Sequence, residues 1–99
     1  MVARRFTDEN GGEVRLTDER FQHILRRHPE MAFQLHRFAD TLAGPDAIRT
    51  SRSSPTVRLY YRLYPDQRGR NRYLCLVVKK GKDYSYMLTG YLTRRVKGD

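Results

Sequence analysis

The sequence predicts an α+β protein in which two N-terminal helices pack on one face of a three- to four-stranded antiparallel sheet. Two observations carry that prediction. Apolar residues recur at helical spacing as far as Leu42, and from Ala47 onward they recur at the period of two that marks strands. Ninety-nine residues suffice for one modest core, so residues 1–99 are read as a single domain.

Asn10-Gly11-Gly12 is a turn signal, with a short candidate strand at Glu13–Leu16 after it. Thr17 reads as an N-cap, and Asp18 and Glu19 place negative charge in the first turn, where the helix dipole favours it. Phe21, Ile24, Leu25 and His28 then lie on one helical face. Pro29 ends this helix, because the residue before a proline is driven toward extended geometry, and Pro29 can itself open a second helix. Met31, Leu35, Phe38, Ala39 and Leu42 form the second stripe, which Ala43-Gly44-Pro45-Asp46 stops. Two antiparallel helices of about three turns each are expected.

Ala47–Arg52 reads as a short strand and Ser53-Ser54-Pro55 as a loop. Thr56–Tyr64 alternates, with Val57, Leu59, Tyr61 and Leu63 on one side and Arg58, Tyr60, Arg62 and Tyr64 on the other. A basic hairpin loop covers Pro65–Asn71. Arg72–Lys80 holds the apolar run Tyr73–Val78, which reads as a central strand. After the turn Gly81-Lys82-Asp83, the stretch Tyr84–Arg95 alternates again, with Tyr84, Tyr86, Leu88 and Leu92 set against Met87, Thr89, Tyr91, Thr93 and Arg95.

Charge divides the chain. Residues 1–46 carry seven Lys and Arg against eight Asp and Glu, whereas residues 47–99 carry thirteen against three. All seven tyrosines fall in the basic half. Cations pair with phosphates and aromatic rings stack on bases, so the segregation points to a nucleic-acid surface. If the aliphatic sides of the strands face the helices, the open face unites Arg58, Tyr60, Arg62 and Tyr64 with Thr89, Tyr91, Thr93 and Arg95.

Few carboxylates fall on that face, which disfavours Mg²⁺ or Ca²⁺, and the histidine spacing does not match zinc ligation, so no metal and no cofactor is expected. Cys75, alone and mid-run in an apolar strand, reads as a small buried hydrophobe and suits a reducing compartment. No apolar stretch has the length of a signal peptide core or a membrane span, and a cytoplasmic protein with no membrane partner is expected.

A metal-free surface of this kind can cleave RNA if it supplies a base, an acid and cations, and the histidines are the candidates for proton transfer. His23 lies off the apolar stripe, His28 lies on it beside Pro29, and His36 reads as a solvated residue. His23 and His28 are separated by roughly 500° of helix rotation, so from a regular helix only one can point into a given pocket. His23 is the slightly preferred one.

Several segments together resemble the phage and polymorphic-toxin barnase–EndoU–colicin–RelE-like nucleases. They are Arg15–Ile24, Arg27-His28-Pro29-Glu30, Pro45–Ile48, Leu59-Tyr60-Tyr61-Arg62, Leu88-Thr89-Gly90-Tyr91 and the closing Lys97-Gly98. The resemblance spans about residues 13–98. It implies N-terminal helices on a four-stranded antiparallel sheet, and metal-independent ribonucleases that often act as toxins on tRNA or other translation RNAs. Carried across, it implies His23 and His28 as the histidines, Arg62 as the strand arginine, and Thr89 and Tyr91 as the terminal hydroxyl pair. The chain lacks the delivery modules that often precede such domains, which favours an intracellular phage- or mobile-element-type protein.

The leading expectation is therefore a metal-independent endoribonuclease acting through 2′-hydroxyl attack. His23 or His28 would transfer protons, and Arg62, helped by Arg58 and Lys79, would clamp the phosphate. Thr89 and Tyr91 would position it, Tyr60 or Tyr64 would stack a base, and Thr93 and Arg95 would extend the RNA-binding face. The alternatives are a non-catalytic RNA- or DNA-binding module using the same face, and a basic domain that meets an acidic partner such as an antitoxin or immunity protein.

Overall fold

In the computed structural model, which describes residues 3–97, strands β1 (Ala3–Thr7) and β2 (Glu13–Thr17) form a hairpin ahead of helix α1 (Asp18–Arg27). Two 3-10 segments, Pro29–Phe33 and Leu35–Arg37, lead into the short helix α2 (Phe38–Ala43). Strands β3 (Ala47–Thr50), β4 (Val57–Leu63), β5 (Tyr73–Lys79) and β6 (Ser85–Thr93) complete the chain. They assemble into one six-stranded sheet in the order β1-β2-β6-β5-β4-β3.

The expected architecture of two three-turn helices on a three- to four-stranded antiparallel sheet is thus corrected. The sheet has six strands and is mixed, because β2 pairs parallel to β6 at Val14–Ser85 and Arg15–Tyr86. β1 has only Phe6 as a large apolar residue and is too charged to show alternation. It becomes a strand through its partner. Asp8 accepts from the backbone N–H groups of Asn10 and Gly12 (2.9 and 2.8 Å), and Gly11 takes a positive φ of 83°, closing the turn that registers β1 on β2.

α1 begins where capping chemistry places it, with the Thr17 hydroxyl accepting from the Arg20 N–H at 3.1 Å. The expected second helix is instead broken. Gln34 is buried and donates to Gln67 in the β4–β5 loop, and Arg37 donates to Gln34, Gln67 and Asp66. These ties to a loop distant in sequence override helix propensity and leave 3-10 turns, while Met31, Phe38 and Leu42 still face the sheet.

The core lies between these helical segments and one sheet face. Leu74, Leu76 and Val78 of β5 supply its centre, beneath Ile24, Met31 and Phe38. The Phe38 ring meets Phe6 and Phe21 with centroids 6.1 and 6.2 Å apart. Gly90 lets the chain around Met31 lie against β6, since a Cβ there would stand 2.9 Å from both Met31 Cε and Leu76 Cδ2.

Register then decides which residues share a face, because directly paired residues project to the same side. Arg58, Tyr60 and Arg62 stand opposite Val78, Leu76 and Leu74, on the face the helices cover. Thr89, Tyr91 and Thr93 stand opposite Val77, Cys75 and Tyr73, on the other face. The expectation that the arginine-bearing side of β4 and the hydroxyl-bearing side of β6 share an open surface is overturned. Period two identifies which residues go together but not which side the helices cover. Here the aliphatic side of β4 points away from the helices, and the chain after β6 returns over it, with Lys97 beside Tyr61 and Cys75.

Candidate active site

β2 and β6 pair over only two residues, and the chain then leaves β2 for α1, so the last turn of α1 runs beside β6 from Leu88 onward. An open cavity of about 410 Å³ results, lined by His23, Arg27, His28, Leu88, Thr89 and Tyr91. Four of the five residues expected to be catalytic meet here, and Arg62 does not.

Both histidines reach one cleft because His28 is not helical. It caps α1 with φ −136° and ψ 76°, its N–H still bonded to the Ile24 carbonyl at 2.7 Å. Pro29 imposes that geometry, and the rotation argument that allowed only one histidine fails at the cap. Arg27 lies one helical turn beyond His23, on the same side of α1.

The His28 ring lies against Tyr91, with centroids 5.7 Å apart and planes inclined by 37°. Its Nδ1 is 3.8 Å from the Glu30 carboxylate. The Tyr91 hydroxyl is turned away from the histidines toward Cys75 and Tyr61. Burial, then the Cys75 thiol and the Tyr61 hydroxyl, raise the Tyr91 pKa above the ordinary phenol value, so this group stays a hydroxyl at neutral pH. Burial likewise pushes the Cys75 thiol up to about 11, and the residue is enclosed as expected of a small hydrophobe. Tyr91 therefore offers the cleft its ring.

β6 carries a bulge, the register shifting between Val77 and Val78 so that Val77 pairs with Thr89 and Val78 with Met87. The additional residue, Leu88, reverses the alternation. Met87 turns into the core, and Tyr86, opposite Lys79 and Arg15, joins Thr89 on the uncovered face.

The remaining expected site residues lie elsewhere. Arg62 donates through Nη1 to the Gly44 carbonyl at 2.6 Å, closing the end of α2. Tyr64 bonds to the Thr41 hydroxyl and the Arg37 carbonyl (2.9 and 3.1 Å) beneath the Arg37 guanidinium. Tyr60 is 0 % exposed, donates to Glu9 at 2.8 Å and accepts from Lys80 at 2.6 Å, so it has no free ring face for a base. Arg58 donates to the Pro55 carbonyl at 2.5 Å. Lys79 lies on the uncovered face opposite Val57 and Tyr86, and Thr93 and Arg95 lie at the end of β6.

Arg27 in the cleft lining and Glu30 beside His28 escaped the sequence reading. Arg27 had a signal, its i+4 spacing from His23, and Glu30 stands in the His28-Pro29-Glu30 segment itself. Among the described residues, no three His, Cys, Asp or Glu side chains converge as a metal-ligand set, and no helix is long and apolar enough to cross a membrane.

A strongly basic chain with an imidazole- and guanidinium-lined cleft at a sheet edge belongs with the nucleases. Over residues 2–97 it matches the phage-Barnase-EndoU-ColicinE5/D-RelE like nuclease 2 family, and it is a member of that family, as the sequence resemblance anticipated. No curated protein and no solved structure gives a significant match to the chain.

Proposed function

We propose that the cleft between α1 and β6 cleaves RNA by transesterification without a metal ion. The observation that carries this reading is the convergence of His23, Arg27 and His28 on one open cavity beside Thr89. A ribose 2′-hydroxyl attacks the adjacent phosphorus. The 2′-oxygen–phosphorus bond forms and the bond from phosphorus to the 5′-oxygen breaks, which yields a 2′,3′-cyclic phosphate and a 5′-hydroxyl.

The Glu30 carboxylate near Nδ1 of His28 favours a proton on that nitrogen and leaves Nε2 to accept the 2′-hydroxyl proton. His23 then gives a proton to the departing 5′-oxygen. The Arg27 guanidinium stabilises the charge that develops on the phosphoryl oxygens, and Thr89 donates a positioning hydrogen bond.

Purified protein incubated with total tRNA in EDTA tests the reading. Cleavage that persists in EDTA, ends in cyclic phosphates and falls by about 10²–10⁴-fold in His28→Ala supports it. Cleavage of a strand with a 2′-deoxyribose at the scissile position, or full activity in His28→Ala, overturns it.

A further inference from the structure

The cleft is not isolated on the surface. A second cavity of about 310 Å³, lined by Thr17, Glu19, Arg20, His23 and Arg26, shares His23 with it. A third of about 320 Å³ shares Thr17 and Arg20 with the second and reaches Arg15, Tyr84 and Tyr86. Their shared lining residues place the three side by side from His28 to the β2–β6 pairing. Tyr86 and Thr89 stand opposite Lys79 and Val77, two strand positions or about 7 Å apart, within reach of neighbouring nucleotides on one strand.

The far end of that row has an unusual surface chemistry. Tyr84 and Tyr86 are 40 % and 42 % exposed, among the large apolar side chains most open to solvent. The Arg15 guanidinium lies 3.7 Å above the Tyr84 ring, while its Nε donates to Glu13. A guanidinium seated over a phenol ring is a cationic platform of the kind on which a nucleobase stacks. Arg20 beside it presents a cation for the strand's phosphate.

We propose that Arg15, Tyr84 and Tyr86 form a base-stacking subsite for a single-stranded nucleotide flanking the scissile phosphate, with Arg20 binding the phosphate between them. This rests on reading the neighbouring cleft as the cleavage site. The β6 bulge builds the subsite, because with Leu88 in regular pairing opposite Val78 the Tyr86 ring would project toward the core. No strict base preference follows, since every base offers a π-face.

The test measures binding apart from cleavage. Fluorescence anisotropy compares a short oligodeoxythymidine with a strand of equal length made of abasic deoxyribose phosphates, neither of which has a 2′-hydroxyl to attack phosphorus. The wild-type protein is expected to prefer the base-bearing strand by about tenfold or more. The double variant Tyr84→Leu, Tyr86→Leu is expected to bind both strands alike, with an unchanged melting temperature because both rings are exposed. Arg20→Gln is expected to weaken both strands equally, and a loss confined to oligodeoxythymidine would overturn its phosphate role. Equal binding of the two strands by the wild type, or discrimination kept by the double variant, overturns the subsite. If His28→Ala leaves RNA cleavage intact while the base preference holds, the cleavage assignment fails and the stacking subsite stands.

Discussion

The imidazole of His28 and the phenol ring of Tyr91 are in contact, while the Tyr91 hydroxyl points away toward Cys75 and Tyr61. One side chain therefore has two separable jobs. The ring is a wall of the cleft, and the hydroxyl belongs to a buried thiol–phenol cluster. Tyr91→Phe is expected to retain near wild-type RNA cleavage while losing about 1 kcal/mol of stability. Tyr91→Leu, which removes the ring, is expected to lower kcat. Gel-based cleavage kinetics and urea unfolding of the two variants separate the roles.

Arg27 and Arg62 make a second contrast. Arg27 lines the cleft, and Arg62 is occupied by the Gly44 carbonyl on the covered face. Arg27→Ala is expected to reduce cleavage by about 10²-fold or more without changing the melting temperature. Arg62→Ala is expected to cost about 1 kcal/mol of stability and leave the activity of the folded protein unchanged. Loss of activity in Arg62→Ala at a temperature where the variant is folded would contradict this assignment.

The β1–β2 turn is fastened to the far side of the sheet through Asp8, which pairs with Lys80 at 3.1 Å. Burial alone would raise the Asp8 pKa. The Gly12 and Asn10 N–H groups and the Lys80 ammonium outweigh it and hold the carboxyl below its ordinary 3.8. A carboxyl with a depressed folded value favours the native state above its unfolded value, so this contribution is complete above pH ~4. It fades as pH falls through the lower folded value. Asp8→Asn is expected to be less stable than the wild type at neutral pH, with the gap narrowing below pH ~4 in urea titrations.

Gly90 marks a close approach in the core. The methyl group of Gly90→Ala would stand 2.9 Å from Met31 Cε and Leu76 Cδ2 and 3.4 Å from the Cys75 carbonyl oxygen. The carbonyl is in ordinary contact, and the two side-chain ends, fully buried, must shift within the core to make room. The variant is expected to lose about 1–3 kcal/mol by thermal unfolding. Because Gly90 sits between Thr89 and Tyr91, a smaller fall in cleavage should accompany it.

Much of this arrangement can be read from the residues. Alternation locates β4 and a continuous apolar run locates β5, each almost to the residue, and Thr17 with Asp18 and Glu19 marks the start of α1. The cleft's histidines and Thr89 are legible through the family resemblance. β1 is invisible because Ala3–Thr7 has no pattern of its own and depends on its partner. The second helix fails because Gln34 and Arg37 answer to Gln67 and Asp66, some thirty positions away. The face assignment fails at two points that periodicity does not register: β4 turns its arginines toward the helices, and β6 changes sides at Leu88.

That change of side sets what kinds of sequence variation β6 tolerates. Removing Leu88 would leave Met87 opposite Val78 and Tyr86 opposite Lys79, whereas drawing Leu88 into regular pairing opposite Val78 would rephase everything before it. Met87 would then swing to solvent and Tyr86 toward the core. The bulge, more than the number of residues, sets which side chains this strand gives to each face.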